Sequence, residues 1–335
     1  MTQNEGPGQR PVEIWIPARP QGSSRTPPYW TAGQVQSRSS LALAVLLFTL
    51  TVISTLAVGT QFASAYAAGR SPDFENFFAS YVQLLAHPRL LIAGVPFAFT
   101  LLGILLAHEL GHFFACRHYG IAATYPFFIP APTLIGTLGA FIRIRSPIVS
   151  RRALFDVGIA GPVVGFIFAI PALAIGLAHS KIVPGADAAS VVQFGHPLAL
   201  TLLLAVIHPG VSASDVLLHP IARGAWVGLF ATALNLIPAG QLDGGHILYA
   251  VASRRHKQIS LGVTIALIPL AIFGWAGWLV WAGLLFAFRF RHPPLLDPWT
   301  PVGKEREVWA TIAIAIFALC FMPSPIAGSM LDLFR

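Results

Sequence analysis

Residues 103–120 read GILLAHELGHFFACRHYG and place His108, Glu109 and His112 at the end of an apolar run. On a helix, positions i and i+4 share a face, so His108 and His112 can offer two imidazole nitrogens to one ion. Glu109 lies beside that face, where a carboxylate can take a proton from water that the ion activates. This is the mechanical content of the H-E-x-x-H pattern. The competing reading is a buried polar cluster with no metal. It would leave a glutamate and two histidines bordering residues 90–107, a stretch without a single charge, and ionisable groups in lipid-like surroundings are costly. The setting favours a metal.

A catalytic zinc takes three protein ligands and keeps one position open for water. The acidic residues embedded in apolar sequence are Glu109, Asp156 and Asp243. Asp243, in NLIPAGQLDGGHIL, is the preferred third ligand. Asp156, in RRALFDVGIAGP, is the alternative, although its place after Arg151 and Arg152 better suits a helix cap or an ion pair. Cys116 stands four residues beyond His112 and is read as packing, and His246 as a structural histidine. Cys116 and Cys320 are the only cysteines, too few for a disulfide framework or a cysteine-rich metal site.

The elements that must carry these groups follow from composition. The 335 residues are 55% hydrophobic and 10% charged, with a mean hydropathy of +0.70; a soluble domain carries roughly a quarter charged residues. Uncharged runs cover 41–59, 90–107, 159–178, 224–242 and 259–288, with a shorter one at 308–322. A spanning helix needs about 20 such residues. The chain therefore reads as an all-α polytopic membrane protein with about six transmembrane helices. The 259–288 run is long for one helix and short for two passes, and Pro269, Gly274 and Gly277 could break it into a hairpin.

The net charge of +8 does not point to nucleic acid. Its basic residues sit in short loops between apolar runs, where they set orientation. Arg10, Arg19, Arg25 and Arg38 favour a cytoplasmic N-terminus, and Arg117, Arg143, Arg145, Arg151, Arg152, Arg254, Arg255 and Lys257 mark later cytoplasmic loops. Membrane lipids are the expected surroundings, and a bacterial plasma membrane the expected location. Residues 1–40, with six prolines, read as a disordered cytoplasmic tail. Residues 41–89 read as a first span and external loop, 90–250 as a catalytic membrane core, and 251–335 as C-terminal spans.

Two apolar regions make poor spans. Residues 124–147 are rich in proline and glycine, and AFIRIR alternates with the period of a strand. Such backbone at membrane depth must be covered by protein or face a water-filled cavity. Residues 197–207 are too short to cross. The pairs Gly161/Gly165 and Gly224/Gly228 have the spacing of close helix packing.

With both motifs in view, the chain resembles the site-2 protease family of intramembrane zinc metalloproteases. The resemblance rests on His108-Glu109-Leu110-Gly111-His112 and on Asn235, Pro238, Leu242, Asp243 and Gly244, the aspartate lying 131 residues after His112. It covers roughly residues 90–250. It implies one Zn²⁺ held by His108, His112 and Asp243, with Glu109 as general base and then acid, and Asn235 hydrogen-bonded to the oxyanion or the substrate backbone. It also implies a membrane-dipping β-hairpin after the zinc helix, with residues 136–144 offering a strand edge to an unwound substrate helix. The substrates implied are single-pass transmembrane proteins, cut in regulated intramembrane proteolysis. The alternative is a catalytically silent homologue or a metal-binding transporter. A silent form should lack one of the motif residues, and a transporter should show repeats; neither feature is present.

Overall fold

The computed structural model describes residues 38–70, 86–185, 193–287, 295–297 and 299–327. Residues 1–37 of the expected disordered tail over 1–40 lie outside the described residues, as does residue 288 at the end of the expected hairpin, while residues 38–40 are helical. Apolar runs become helices where nothing interrupts them. The first is α1 (Arg38–Ala67). A 3-10 turn over Pro88–Gly94 leads into α2 (Val95–His118), which carries the H-E-x-x-H residues. Pro96 sits in the first turn of α2, where its missing N–H has no intrahelical partner to lose. Next come β1 (Phe127–Pro130) and β2 (Thr137–Phe141), an antiparallel pair with Phe127 opposite Phe141.

Helix α3 (Arg151–Ala178) starts at Ser150, whose hydroxyl oxygen accepts from the Ala153 amide at 3.2 Å, an N-cap that satisfies one otherwise orphaned donor. The chain continues through β3 (Lys181–Ile182), α4 (Leu198–Ile207), β4 (Val216–Leu217, antiparallel to β3) and α5 (Pro220–Asn235). It ends with α6 (Asp243–Ala252), α7 (His256–Phe273), α8 (Gly277–Ala287) and α9 (Lys304–Cys320).

Among the described residues, four helical stretches are long and apolar enough to cross a bilayer: Ser40–Ala67, Pro88–His118, Arg151–Ala178 and His256–Phe273. Their outer faces carry large apolar side chains in the open, Phe99 at 79% and Phe273 at 76% exposure. A surface of that kind suits lipid rather than water. Inside, α2 packs on α3, and α3 packs on α5 and α6, around Phe97, Leu101, Leu154, Phe155, Leu173, Trp226 and Leu229.

Several sequence expectations change. The 224–242 run is not one span. Helix α5 stops at Asn235 after 16 residues, and the chain turns through 236–242 before α6 begins. Pro238 has no amide with which to continue the helix, and Gly240 takes a φ of +60° that other residues seldom adopt. The break places Asn235 at the end of one helix and Asp243 at the start of the next. The 259–288 run does break, at 274–276, while Pro269 stays inside α7. The AFIRIR alternation is only partly a strand. Beyond Phe141 the backbone leaves β2 and pairs with 122–124 instead, through Thr124 N–H to Arg143 O at 3.0 Å and Arg145 N–H to Ala122 O at 2.7 Å.

Asp156 pairs with neither Arg151 nor Arg152, and it caps no helix. Ser150 already occupies the cap position, and the two arginines donate elsewhere, to Ala250 O (2.6 Å) and Pro301 O (2.9 Å). Asp156 instead accepts two hydrogen bonds from Arg306 of α9, at 2.7 and 2.6 Å, and one from the Tyr119 hydroxyl. This two-pronged pairing ties α9 to the start of α3 and the end of α2.

Candidate metal centre

His108 and His112 lie one turn apart on the buried face of α2. Their Nε2 atoms are 3.1 Å from each other. Asp243, in the first turn of α6, brings its Oδ2 to 3.2 Å from both. The three donor atoms form a nearly equilateral triangle. A tetrahedral zinc with ligands at about 2.0–2.1 Å sets its donors roughly 3.3 Å apart, so the triangle fits such an ion. The donor set, two imidazoles and one carboxylate, suits a divalent cation that keeps one position for water. Among the described residues, this is the group of histidine, cysteine and acidic side chains placed to hold a metal.

The orientation of His112 is fixed from behind. Its Nδ1–H donates to the Val157 carbonyl of α3 at 2.7 Å, which leaves Nε2 with a lone pair directed at the triangle. The amide of Asn235 lies 3.2 Å from His108 Nε2, at the edge of the donor triangle. Glu109 is 5% exposed and holds none of the triangle's vertices. It lines the same cavity, a space of about 190 Å³ bounded by the three ligands, by Asn235, and by Ala140, Phe141, Ile142 and Ile144. The end of β2 and the residues just after it thus share a cavity with the three ligands.

The spacing of Gly161 and Gly165 predicts close helix packing, and the two residues do more. A Cβ on Gly161 would stand 2.1 Å from His112 Nε2, and one on Gly165 would stand 3.1 Å from His108 Nδ1. Both glycines clear space on α3 for the ligand rings. Gly161→Ala is accordingly expected to weaken zinc binding by about 10–100-fold, the range typical when support around a ligand is lost. Gly262→Ala, where nothing lies within 4 Å, should leave binding unchanged. Metal titration of the two variants, with circular dichroism to confirm equal helicity, checks this.

The other singled-out residues fall as follows. Asp156 belongs to the Arg306 pairing and stays outside the triangle. Cys116 is buried in a small apolar cluster with Ile121, Ala153 and Val157, in keeping with packing. His246 lines the metal cavity. The Val157 carbonyl that orients His112 has no signature in the sequence, because a backbone acceptor leaves no mark in side-chain type, whereas Ile142 lies in the 136–144 stretch expected to meet the substrate. Gln241 also lies on the cavity wall.

Comparison with known proteins matches residues 96–273 to peptidase family M50. That segment, just over half of the chain, contains both motifs. The chain is 31% identical to an Arabidopsis thaliana protein named probable zinc metalloprotease EGY2, chloroplastic, over 95% of this chain and 53% of that protein. It is 31% identical to EGY1 of the same plant, over 84% and 53%, and 29% identical to EGY1 of Oryza sativa subsp. japonica, over 84% and 50%. The chain thus spans about half the length of these curated relatives. Their names place them in chloroplasts and lend nothing to the expectation of a bacterial plasma membrane. A solved site-2 protease from Methanocaldococcus jannaschii aligns over 68% of this chain and 92% of its own at 20% identity, with a TM-score of 0.32. The resemblance first drawn from two spaced motifs extends over the whole segment that joins them, and the chain belongs to peptidase family M50, the family of the site-2 zinc metalloproteases.

Proposed function

We propose that the chain is an intramembrane zinc metalloendopeptidase that hydrolyses peptide bonds within or near the transmembrane helices of single-pass proteins, in regulated intramembrane proteolysis. The observation that carries the reading is the shared cavity, lined by the donor triangle and Glu109 together with Ala140, Phe141, Ile142 and Ile144. His108, His112 and Asp243 would hold the zinc, and Asn235 would contact the substrate. Zinc, when bound, supplies a Lewis acid for the scissile carbonyl and lowers the pKa of water at the open position.

The remaining steps belong to the protein. A helix keeps its amides paired internally, so a scissile bond has to be unwound before it can react. Backbone beside residues 140–144 can replace those lost hydrogen bonds by edge pairing. Glu109 accepts the proton of the attacking water and returns it to the departing amine. The Asn235 amide donates to the developing oxyanion, a role that such donors fill in other hydrolases. Burial of Glu109 and the ligands keeps bulk water away from the bond being cut.

The chain's organisation follows the same reading: a cytoplasmic N-terminal tail over 1–40, a first span and external loop over 41–89, the catalytic core over 90–250 and C-terminal spans over 251–335. The strand pair β1–β2 would dip into the membrane beside the core, and the count of about six spans includes α5 and α9. A bacterial plasma membrane remains the proposed location on the sequence reading alone.

The test is reconstitution into vesicles with a single-pass substrate. Cleavage inside or beside the spanning segment, located by mass spectrometry of the products, is the expected result. Treatment with a zinc chelator should abolish it and added Zn²⁺ should restore it. A protein that cuts nothing when loaded with zinc, or that cuts equally well after chelation, refutes the assignment.

A further inference from the structure

Resting on the proteolytic reading, we propose that a second, apolar cavity adjoining the metal centre is the subsite for a bulky hydrophobic side chain beside the scissile bond. This space of about 230 Å³ lies between the 236–242 turn and α8, lined by Gln241, Leu242, Trp281, Leu284 and Leu285. Gln241 and Leu242 also line the metal cavity, so the two spaces share a wall. Leu242 is bonded directly to the ligand Asp243.

The geometry selects the occupant. An extended chain advances about 3.3–3.6 Å per residue. Because Gln241 and Leu242 line both spaces, a peptide whose scissile carbonyl reaches the donor triangle would bring its adjoining side chain to that partition. On the far side the walls are an indole and leucine side chains with no charge among them. Leu285 is 3% exposed, and its Cδ2 would lie 3.5 Å from a Cβ on Gly240, so α8 is seated against the turn. Leu284 is 44% exposed, which leaves the space accessible from the outer, apolar surface. An apolar cavity of about 150 Å³ in another protein takes up benzene. The larger space here accommodates the side chain of phenylalanine or leucine. An alanine would leave it unfilled.

The subsite predicts a preference. Between two otherwise identical single-pass substrates with Phe or Ala next to the cut, the protein should favour Phe by about tenfold or more in kcat/KM, the scale set by filling an apolar pocket. Leu284→Trp, which fills the space, should bring that ratio close to one. Ile92→Trp, on an exposed surface elsewhere, should keep it.

A second measurement needs no cleavage. In a Glu109→Gln background, Leu284→Cys should crosslink to a cysteine placed at that substrate position, well above the yield from Phe99→Cys on the outer face of α2. Equal cleavage of both substrates, an unchanged ratio in Leu284→Trp, or a crosslink no stronger than at position 99 overturns the subsite while leaving the protease reading intact. Strong crosslinking with neither substrate ever cut refutes the protease reading, and with it the placement of this cavity beside a scissile bond. A co-purifying lipid lost in Leu284→Trp with the preference unaltered identifies an acyl-chain site and also overturns the proposal.

Discussion

Glu109→Gln should lower kcat/KM on a transmembrane substrate by roughly 10³–10⁴-fold, at the upper end of what a general acid–base residue contributes. That corresponds to about 4–5 kcal/mol of barrier. The glutamine fills the same volume but cannot take a proton, and Glu109 supplies no vertex of the donor triangle. The variant should therefore still bind one zinc per chain. Activity and metal content measured on one preparation separate the outcomes. Retained cleavage would remove Glu109 from the proton-transfer role. Loss of metal together with activity would show that it acts by supporting the ligands.

Asp243→Ala should empty the site. Its Oδ2 is 3.2 Å from both imidazole nitrogens, and without it only two neutral donors remain, too few for a stable zinc site. Activity should fall by more than the 10–100-fold seen when only a supporting residue is changed. Zinc should be lost on dialysis against metal-free buffer. Asp156→Ala is the discriminating partner. Its carboxylate is held by Arg306 and Tyr119, so its loss should loosen α9 against α3 while zinc per folded molecule stays near one. A site emptied by Asp156→Ala and left full by Asp243→Ala would reverse the ligand assignment.

Much of this is legible in the amino-acid sequence. The pairing of His108 with His112 follows from helical periodicity alone, since residues four apart necessarily share a face. The membrane class follows from uncharged runs of bilayer length, because few other environments tolerate them. A break after residue 273 was signalled by Gly274 and Gly277. Local rules suffice wherever the physics is local.

The tertiary structure decided what depends on distant segments. Asp243 meets the two histidines only because the chain breaks at Pro238 and Gly240 and starts a new helix, whereas hydropathy averages straight across that interruption. Asp156 chose Arg306, 150 residues away, although Arg152 stands one helical turn before it, because Arg151 and Arg152 donate instead to the Ala250 and Pro301 carbonyls of distant segments. Gly161 carries the same spacing signal as any packing glycine, and only the position of His112 across the interface shows that its missing Cβ makes room for a ligand. Side-chain type and spacing specify which chemistry a residue can perform. Which residues share a cavity depends on helix breaks and packing that bring together groups more than a hundred positions apart, and no local pattern encodes that.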